Sequence, residues 1–182
     1  MPARFRTQVF GLHRQAWPRS TPAQPGDDLR QVHDPALDPI SMLLVGDGRV
    51  LAALDILSKP IEHAGETYAA SGLSTVVTDE ALRGHGYGRI LVTAAREAIE
   101  ASGADLGIFT CDREIGPFYE SAGWEIVPGA VLVGGTPDDP FPSDQWDKVT
   151  LARFFSERAQ RNAGAFEHAR IGLYPGAIDK LW

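Results

Sequence analysis

Hydrophobic and polar positions along this chain follow two rhythms, and the places where one gives way to the other divide the sequence into strands and helices. Arg4 to Leu12 alternates loosely and predicts a first strand. His13 to Pro39 carries Pro18, Pro22, Pro25, Pro35 and Pro39 and admits at most a short helix around Asp27 to Val32. Ser41 to Val45 and Arg49 to Leu57 read as two strands joined by a Gly46-Asp47-Gly48 hairpin turn. Lys59 to Gly65 reads as a further turn and Glu66 to Thr78 as a long strand. The internal Gly72 marks a bulge or a close backbone approach there.

The rhythm then changes. Ile90, Leu91, Ala94, Ala95, Ala98 and Ile99 share one helical face, Arg89, Arg96, Glu97 and Glu100 occupy the other, and Gly103 supplies a C-terminal stop. Asp105 to Cys111 has the unbroken apolar character of a buried strand, so a strand–helix–strand unit with parallel strands is expected. Glu114 to Ala122 predicts a shorter helix with Pro117 in its first turn and Gly123 at its end. Trp124 to Val127 starts a strand, Gly134 to Ser143 is a loop, Asp147 to Phe154 is a last strand, and Phe155 to Ala163 is helical. The pattern leaves Gly164 to Trp182 unassigned.

Between the long strand and the long helix lies Asp79-Glu80-Ala81-Leu82-Arg83-Gly84-His85-Gly86-Tyr87-Gly88. A strand, a glycine-rich loop and a helix N-terminus bring unpaired backbone N–H groups together in a field that favours an anion. Gly86 and Gly88 lack a Cβ, so the main chain there can approach phosphates closely and take positive φ values, and Arg83 adds a charge-assisted contact. The Gly-Lys-Ser/Thr of a P-loop is absent, and so is the spacing of a dinucleotide fingerprint.

Composition narrows the setting. The 182 residues, 43% hydrophobic, suffice for one well-filled core, and no apolar run approaches the length of a bilayer span. A net charge of −7 argues against nucleic acid and is compatible with a cationic small substrate, although ordinary solubility explains it equally. Cys111 is the only cysteine, which excludes an internal disulfide and a cysteine-based metal site and fits a reducing cytoplasm. The five histidines show no metal spacing, and the N-terminus lacks the apolar core of a signal peptide.

Arg83-Gly84-His85-Gly86-Tyr87-Gly88, followed about thirty residues later by Phe118-Tyr119-Glu120-Ser121-Ala122-Gly123-Trp124, resembles the GCN5-related N-acetyltransferase superfamily. The first segment is similar to its acetyl-CoA loop and the second to the helix and turn that close the site. The resemblance covers Ser41 to Val127. It implies a single α/β domain over residues 1–182, with a mixed sheet flanked by helices and splayed where the Val76 and Thr110 strands diverge to admit the cofactor. It implies that Val76, Val77 and Thr78 offer backbone groups to the pantetheine and thioester, that Gly84 to Gly88 hold the pyrophosphate, and that Tyr119 protonates the leaving thiolate. The plainer reading of Tyr119 is a packed aromatic on an amphipathic helix.

The chain end, Ile178-Asp179-Lys180-Leu181-Trp182, resembles the tryptophan-terminated tail of aminoglycoside 2′-N-acetyltransferases. That likeness implies that the Trp182 carboxylate helps bind or deprotonate the amine, and that Asp138 and Asp139 face the substrate. A hydrophobic plug and a solvated turn explain the same residues. Ser74 stands where those enzymes have a glutamate base, leaving Glu66, Asp79, Glu80, Asp112 and the Trp182 carboxylate as unranked replacements. The expected activity is acetyl transfer from acetyl-CoA to a primary amine of a small cationic molecule, without a metal. Acetylation of proteins or peptides and a non-catalytic acyl-CoA-binding module are the alternatives. Oligomeric state is not readable from the sequence, although many members of the family are dimers and a homodimer is compatible with the resemblance.

Overall fold

A computed structural model describes residues 1–18, 24, 26–27, 32–179 and 181–182. The helix expected around Asp27 to Val32 lies outside the described residues, because 28–31 are not among them. The chain opens with a helix, α1 (Ala3–Ala16), and not with the strand expected over Arg4 to Leu12. Phe5, Val9, Leu12 and Ala16 recur at helical spacing and pack on Val50, Ala53 and Val77, and that period overrides the loose alternation.

Three antiparallel strands follow: β1 (Ile40–Gly46), β2 (Arg49–His63) and β3 (Glu66–Thr78). Both hairpins turn on two residues of positive φ, Asp47-Gly48 and Ala64-Gly65, which matches the twist of the flanking strands. The turn expected over Lys59 to Gly65 is therefore only its last two residues. β2 continues through Pro60 because β1 ends opposite Ile56, and the imino nitrogen then meets no strand on that side.

After β3 come α2 (Tyr87–Ala101), β4 (Leu106–Asp112), α3 (Gly116–Glu120) and β5 (Glu125–Ile126). β6 (Val131–Gly135), β7 (Pro140–Pro142) and β8 (Lys148–Phe154) lead to α4 (Glu157–Arg161) and β9 (Arg170–Gly172). Six strands form a mixed sheet in the order β1-β2-β3-β4-β8-β5, and a small sheet has the order β7-β6-β9. The small sheet corrects two expectations: Gly134 to Ser143 is partly strand, and the strand over Asp147 to Phe154 is not the last. Its central pairing joins β6 to β9 in parallel across more than thirty residues, so no local pattern announces it.

The core gathers Tyr68, Phe109, Trp124 and Phe166, each under 2% exposed. On the sheet, β3 and β4 run parallel for only two pairs, Ala70–Leu106 and Ser71–Gly107, and then separate. The Trp182 indole fills the start of this fork and donates to the Ile108 carbonyl. Phe155 N–H bonds the Asp105 carbonyl (2.8 Å) beside β8, so by alternation along β4 the Ile108 carbonyl faces the fork. Gly72 is the close approach the sequence anticipated, since a Cβ there would overlap the indole. Gly72→Ala is expected to cost about 1–3 kcal/mol by overpacking, and the cost should largely vanish in a chain lacking Trp182. Denaturant unfolding of the single and combined variants measures both.

Candidate active site

The anion-binding geometry begins at the end of β3. Asp79 is buried, caps the turn Glu80–Leu82 through Ala81 N–H (3.1 Å) and pairs with Arg49 at the start of β2. Gly84 and Gly86 then adopt φ values of 81° and 82° with open space where a side chain would stand. The first helical bond of α2 runs from Ile90 N–H to the Gly86 carbonyl (3.0 Å), leaving the N–H groups of Tyr87, Gly88 and Arg89 ahead of it. Arg83 and His85 are exposed, and the His85 ring stacks on Tyr87 with centroids 5.9 Å apart. Gly88 does not take the positive φ expected of it: it lies inside α2, where a Cβ would come within 2.7 Å of Thr78 Oγ1 and 3.3 Å of the Phe118 ring, so this glycine lets β3, α2 and α3 meet.

The strand side carries a bulge, placed three residues beyond Gly72. Ala53 pairs with Val77 and Asp55 with Ser74, so Leu54 opposes both Thr75 and Val76. Thr75 has φ 50°, a conformation that costs a β-branched residue on the order of 1–3 kcal/mol. Its hydroxyl donates to Asp55 Oδ2 (2.8 Å), which helps hold it there. Asp55 also accepts from Ser41 Oγ (2.5 Å) and faces His33 Nε2 at 3.2 Å, while His33 Nδ1 meets the Asp179 carboxylate. Burial opposes charge on His33, but hydrogen bonds to Asp179 and Asp55 and their charges prevail and raise its pKa from 6.5 to about 9. Burial likewise opposes charge on Asp55, yet the bonds from His33, Ser41 and Thr75 hold its carboxyl below the usual range.

Across the fork, α3 presents Tyr119, buried and packed edge-on against Phe109 and Phe118 at 5.0 and 4.9 Å. Burial, reinforced by Cys111 and Asp112, pushes the phenol well above its ordinary pKa, so it stays protonated. Cys111 itself is pushed up to about 11 by burial, with Asp112 adding and Lys148 opposing, and is a thiol. Thr110 lies half-buried on β4, paired with Thr150 of β8.

The acceptor-side candidates form a separate group. Asp138 and Asp139 are exposed in the turn between β6 and β7, where Thr136 Oγ1 accepts from Asp139 N–H (3.1 Å). That hairpin and the tail border an open cleft of about 390 Å³ lined by Gly135, Thr136, Phe141, Gly176 and Ile178. Trp182 is 3% exposed in the fork, with one of its carboxyl oxygens accepting from Asp179 N–H. Of the other carboxylates considered, Glu66 and Glu80 are exposed, and Asp112 is held by Lys148 at 2.7 Å. The sequence reading missed Asp55 and His33. Asp55 pairs with Ser74 in the ladder and so brings a carboxylate to the level where Ser74 offers none. Only the alternation of a polar residue within an apolar strand could have pointed to it.

A family model described as an acetyltransferase (GNAT) domain matches residues 3–127. A sequence search of curated proteins finds no match. Among solved structures, the GNAT family N-acetyltransferase YhbS from Escherichia coli, in complex with CoA, is similar at TM-score 0.62 and 18% identity. The match covers 96% of this chain and 87% of that one. An aminoglycoside 6′-N-acetyltransferase complexed with coenzyme A is similar at TM-score 0.57 and 15% identity, covering 84% and 92%. The ribosomal-protein-S18-alanine N-acetyltransferase from Escherichia coli is similar at 0.53 and 12%, covering 86% and 91%.

Because the folded pKa of His33 is raised, its contribution to stability is full below about pH 6.5 and is lost as pH rises through about 9. His33→Gln is expected to lower Tm by roughly 5–10 °C near pH 6. The gap to the parent protein should narrow steadily above pH 8, which thermal scans across pH would register.

Proposed function

The chain belongs to the acetyltransferase (GNAT) family and is an acetyl-CoA-dependent N-acetyltransferase, and we propose that it acetylates a primary amine on a small cationic molecule of the aminosugar kind. The observation that carries this reading is the pairing of the Gly84–Gly88 loop at the α2 N-terminus with Tyr119 across the fork. The left-handed glycines and free N–H groups suit a diphosphate, and Arg83 stands at the loop entrance to add charge. Val76 in the bulge and Thr78 beyond it would turn main-chain groups to the pantetheine arm and the thioester carbonyl, as would the neighbourhood of Thr110 on the opposing strand, whereas Val77 between them pairs with Ala53 of β2.

In the proposed reaction the amine nitrogen attacks the thioester carbon, a C–N bond forms, the C–S bond breaks and sulfur leaves with the electron pair. The ammonium proton passes to a carboxylate or to water. Tyr119 is held too weak an acid to surrender its proton fully to a thiolate of ordinary pKa, so its supported role is to donate a hydrogen bond to the departing sulfur. No group of three or more His, Cys, Asp or Glu side chains able to hold a metal occurs among the described residues.

A small acceptor is supported by the open cleft between the β6–β7 hairpin and the tail, whose volume suits a small molecule, and by Asp138 and Asp139 in the adjoining turn. Phe141 and Trp146, 5.8 Å apart and partly exposed, add an aromatic edge for a sugar face or a cation. The net charge of −7 favours encounter with cations. The Trp182 carboxylate lies beside Asp179 in the tail, and a reducing cytoplasm is the proposed compartment.

Saturating acetyl-CoA, at about 100 times its Kd, should stabilise the protein by about 2.7 kcal/mol and raise Tm by several degrees. An unchanged melting curve, with no heat of binding, would reject the cofactor site. Tyr119→Phe should lower kcat by roughly 10–100-fold while leaving KM for acetyl-CoA within about twofold. A thiol-release panel of aminoglycosides, polyamines, amino acids and peptides tests the acceptor. Preferential turnover of peptides would move the assignment to protein acetylation, and bound CoA without amine-dependent thiol release would leave a binding module.

A further inference from the structure

The cluster around Asp55 is not used by the reaction just described, yet it is the most heavily bonded buried polar group among the described residues. Asp55 and His33 are 8% and 6% exposed. Asp55 gathers Ser41 from β1, Thr75 from the β3 bulge and His33 from the segment before β1. The remaining ring nitrogen of His33 is taken by Asp179 of the tail. With a carboxylate on each side, the imidazole is a cationic clamp and not a free base.

Asp179 belongs to the unit that seats Trp182. The two residues exchange backbone hydrogen bonds, with Trp182 N–H to the Asp179 carbonyl at 2.8 Å, and the Trp182 indole enters the β3–β4 fork. A continuous chain of contacts therefore runs from the strained Thr75 through Asp55, His33 and Asp179 to the fork. The charged groups facing His33 are Asp55 from the sheet and Asp179 from the tail. Lys59, further along β2, tethers the earlier tail by donating to the carbonyls of Leu173, Pro175 and Ala177. His33 thus meets the tail at Asp179, beyond the stretch that Lys59 tethers.

We propose that Asp55, His33 and Asp179 form a positioning relay that makes the seating of the chain end and the shape of the Thr75 bulge a single two-state element. In the proposed acetyl transfer, on which this inference rests, the bulge sets the strand end that receives the thioester, and the tail walls the acceptor side. The relay gives the bulge its working shape when the acceptor side is closed, and an amine that contacts the tail draws the thioester site into register with itself. All three are positioning residues: they act through Thr75 and Trp182.

The test uses the full chain carrying Asp179→Asn, Thr75→Val or both, with Asp55→Asn as a further variant. Hydrogen exchange is followed in peptides covering residues 72–78 and 178–182. Asp179→Asn should speed exchange in 72–78 by about tenfold, and Thr75→Val should do the same in 178–182, although neither substitution lies in the segment read. Each should lower kcat by about tenfold with KM for acetyl-CoA within about twofold, and the double variant should be no worse than the worse single one. Exchange that rises only around the substituted residue or only at Gly72, where Trp182 packs directly, or losses in kcat that multiply in the double variant, overturns the relay. If Asp55→Asn does not fold, the other two variants still decide the matter. Absence of thiol release from the parent protein with every amine would reject the acetyl-transfer reading, and the exchange data would then decide the coupling alone.

Discussion

Among the described residues the β3–β4 ladder has two pairs, Ala70–Leu106 and Ser71–Gly107, with Asp105 bonded to Ala69 just before them, and the early separation of these parallel strands is the constraint on which the rest of the molecule depends. A diverging pair leaves backbone groups without ladder partners in the middle of a buried sheet, and each must be satisfied some other way. Trp182 does this at the narrow end, giving its indole N–H to the Ile108 carbonyl while its ring fills the space opposite Gly72. At the wide end the strands stay apart and a cofactor can enter between them. One geometric fact thus calls for a glycine in β3, an aromatic residue at the end of the chain, and the helices α2 and α3 flanking the opening.

The second organising element is electrostatic. A carboxylate buried as deeply as Asp55 is tolerated only when hydrogen-bonded and paired, and it accepts from Ser41 and Thr75 while facing His33. The anchored carboxylate in turn takes the Thr75 hydroxyl and helps hold that residue at φ 50°. Surface pairs such as Arg153–Glu125 and Arg161–Glu157 lie in water and add little.

Much of the cofactor side was legible in the chain itself. Gly84, Gly86, Gly103 and Gly123 all stand at left-handed backbone positions. Leu91, Ala95 and Ile99 lie on the buried side of α2 as expected, although Ile90 and Ala98 of the expected face are exposed and Val92 is buried in their place. The Asp47-Gly48 hairpin followed from turn chemistry in the same way. These features were readable because each is decided within a few residues, by sterics at φ or by the period of one face. The loose alternation of Arg4 to Leu12 misled because a short segment satisfies both periods, and only packing against Val50, Ala53 and Val77 selects the helix.

The amino-acid sequence alone determined the loop, the long helix, the aromatic helix after β4 and, through them, the family. The tertiary structure decided that Gly72 answers to a tryptophan 110 residues away, that the bulge falls at Thr75, and that β6 pairs with β9. It alone brought His33, Asp55 and Asp179 together, residues separated by 22 and 146 positions along the chain. The reason is physical. Backbone sterics and side-chain periodicity act between near neighbours and leave a local trace, whereas burial and charge pairing act between whichever residues the completed fold brings into contact.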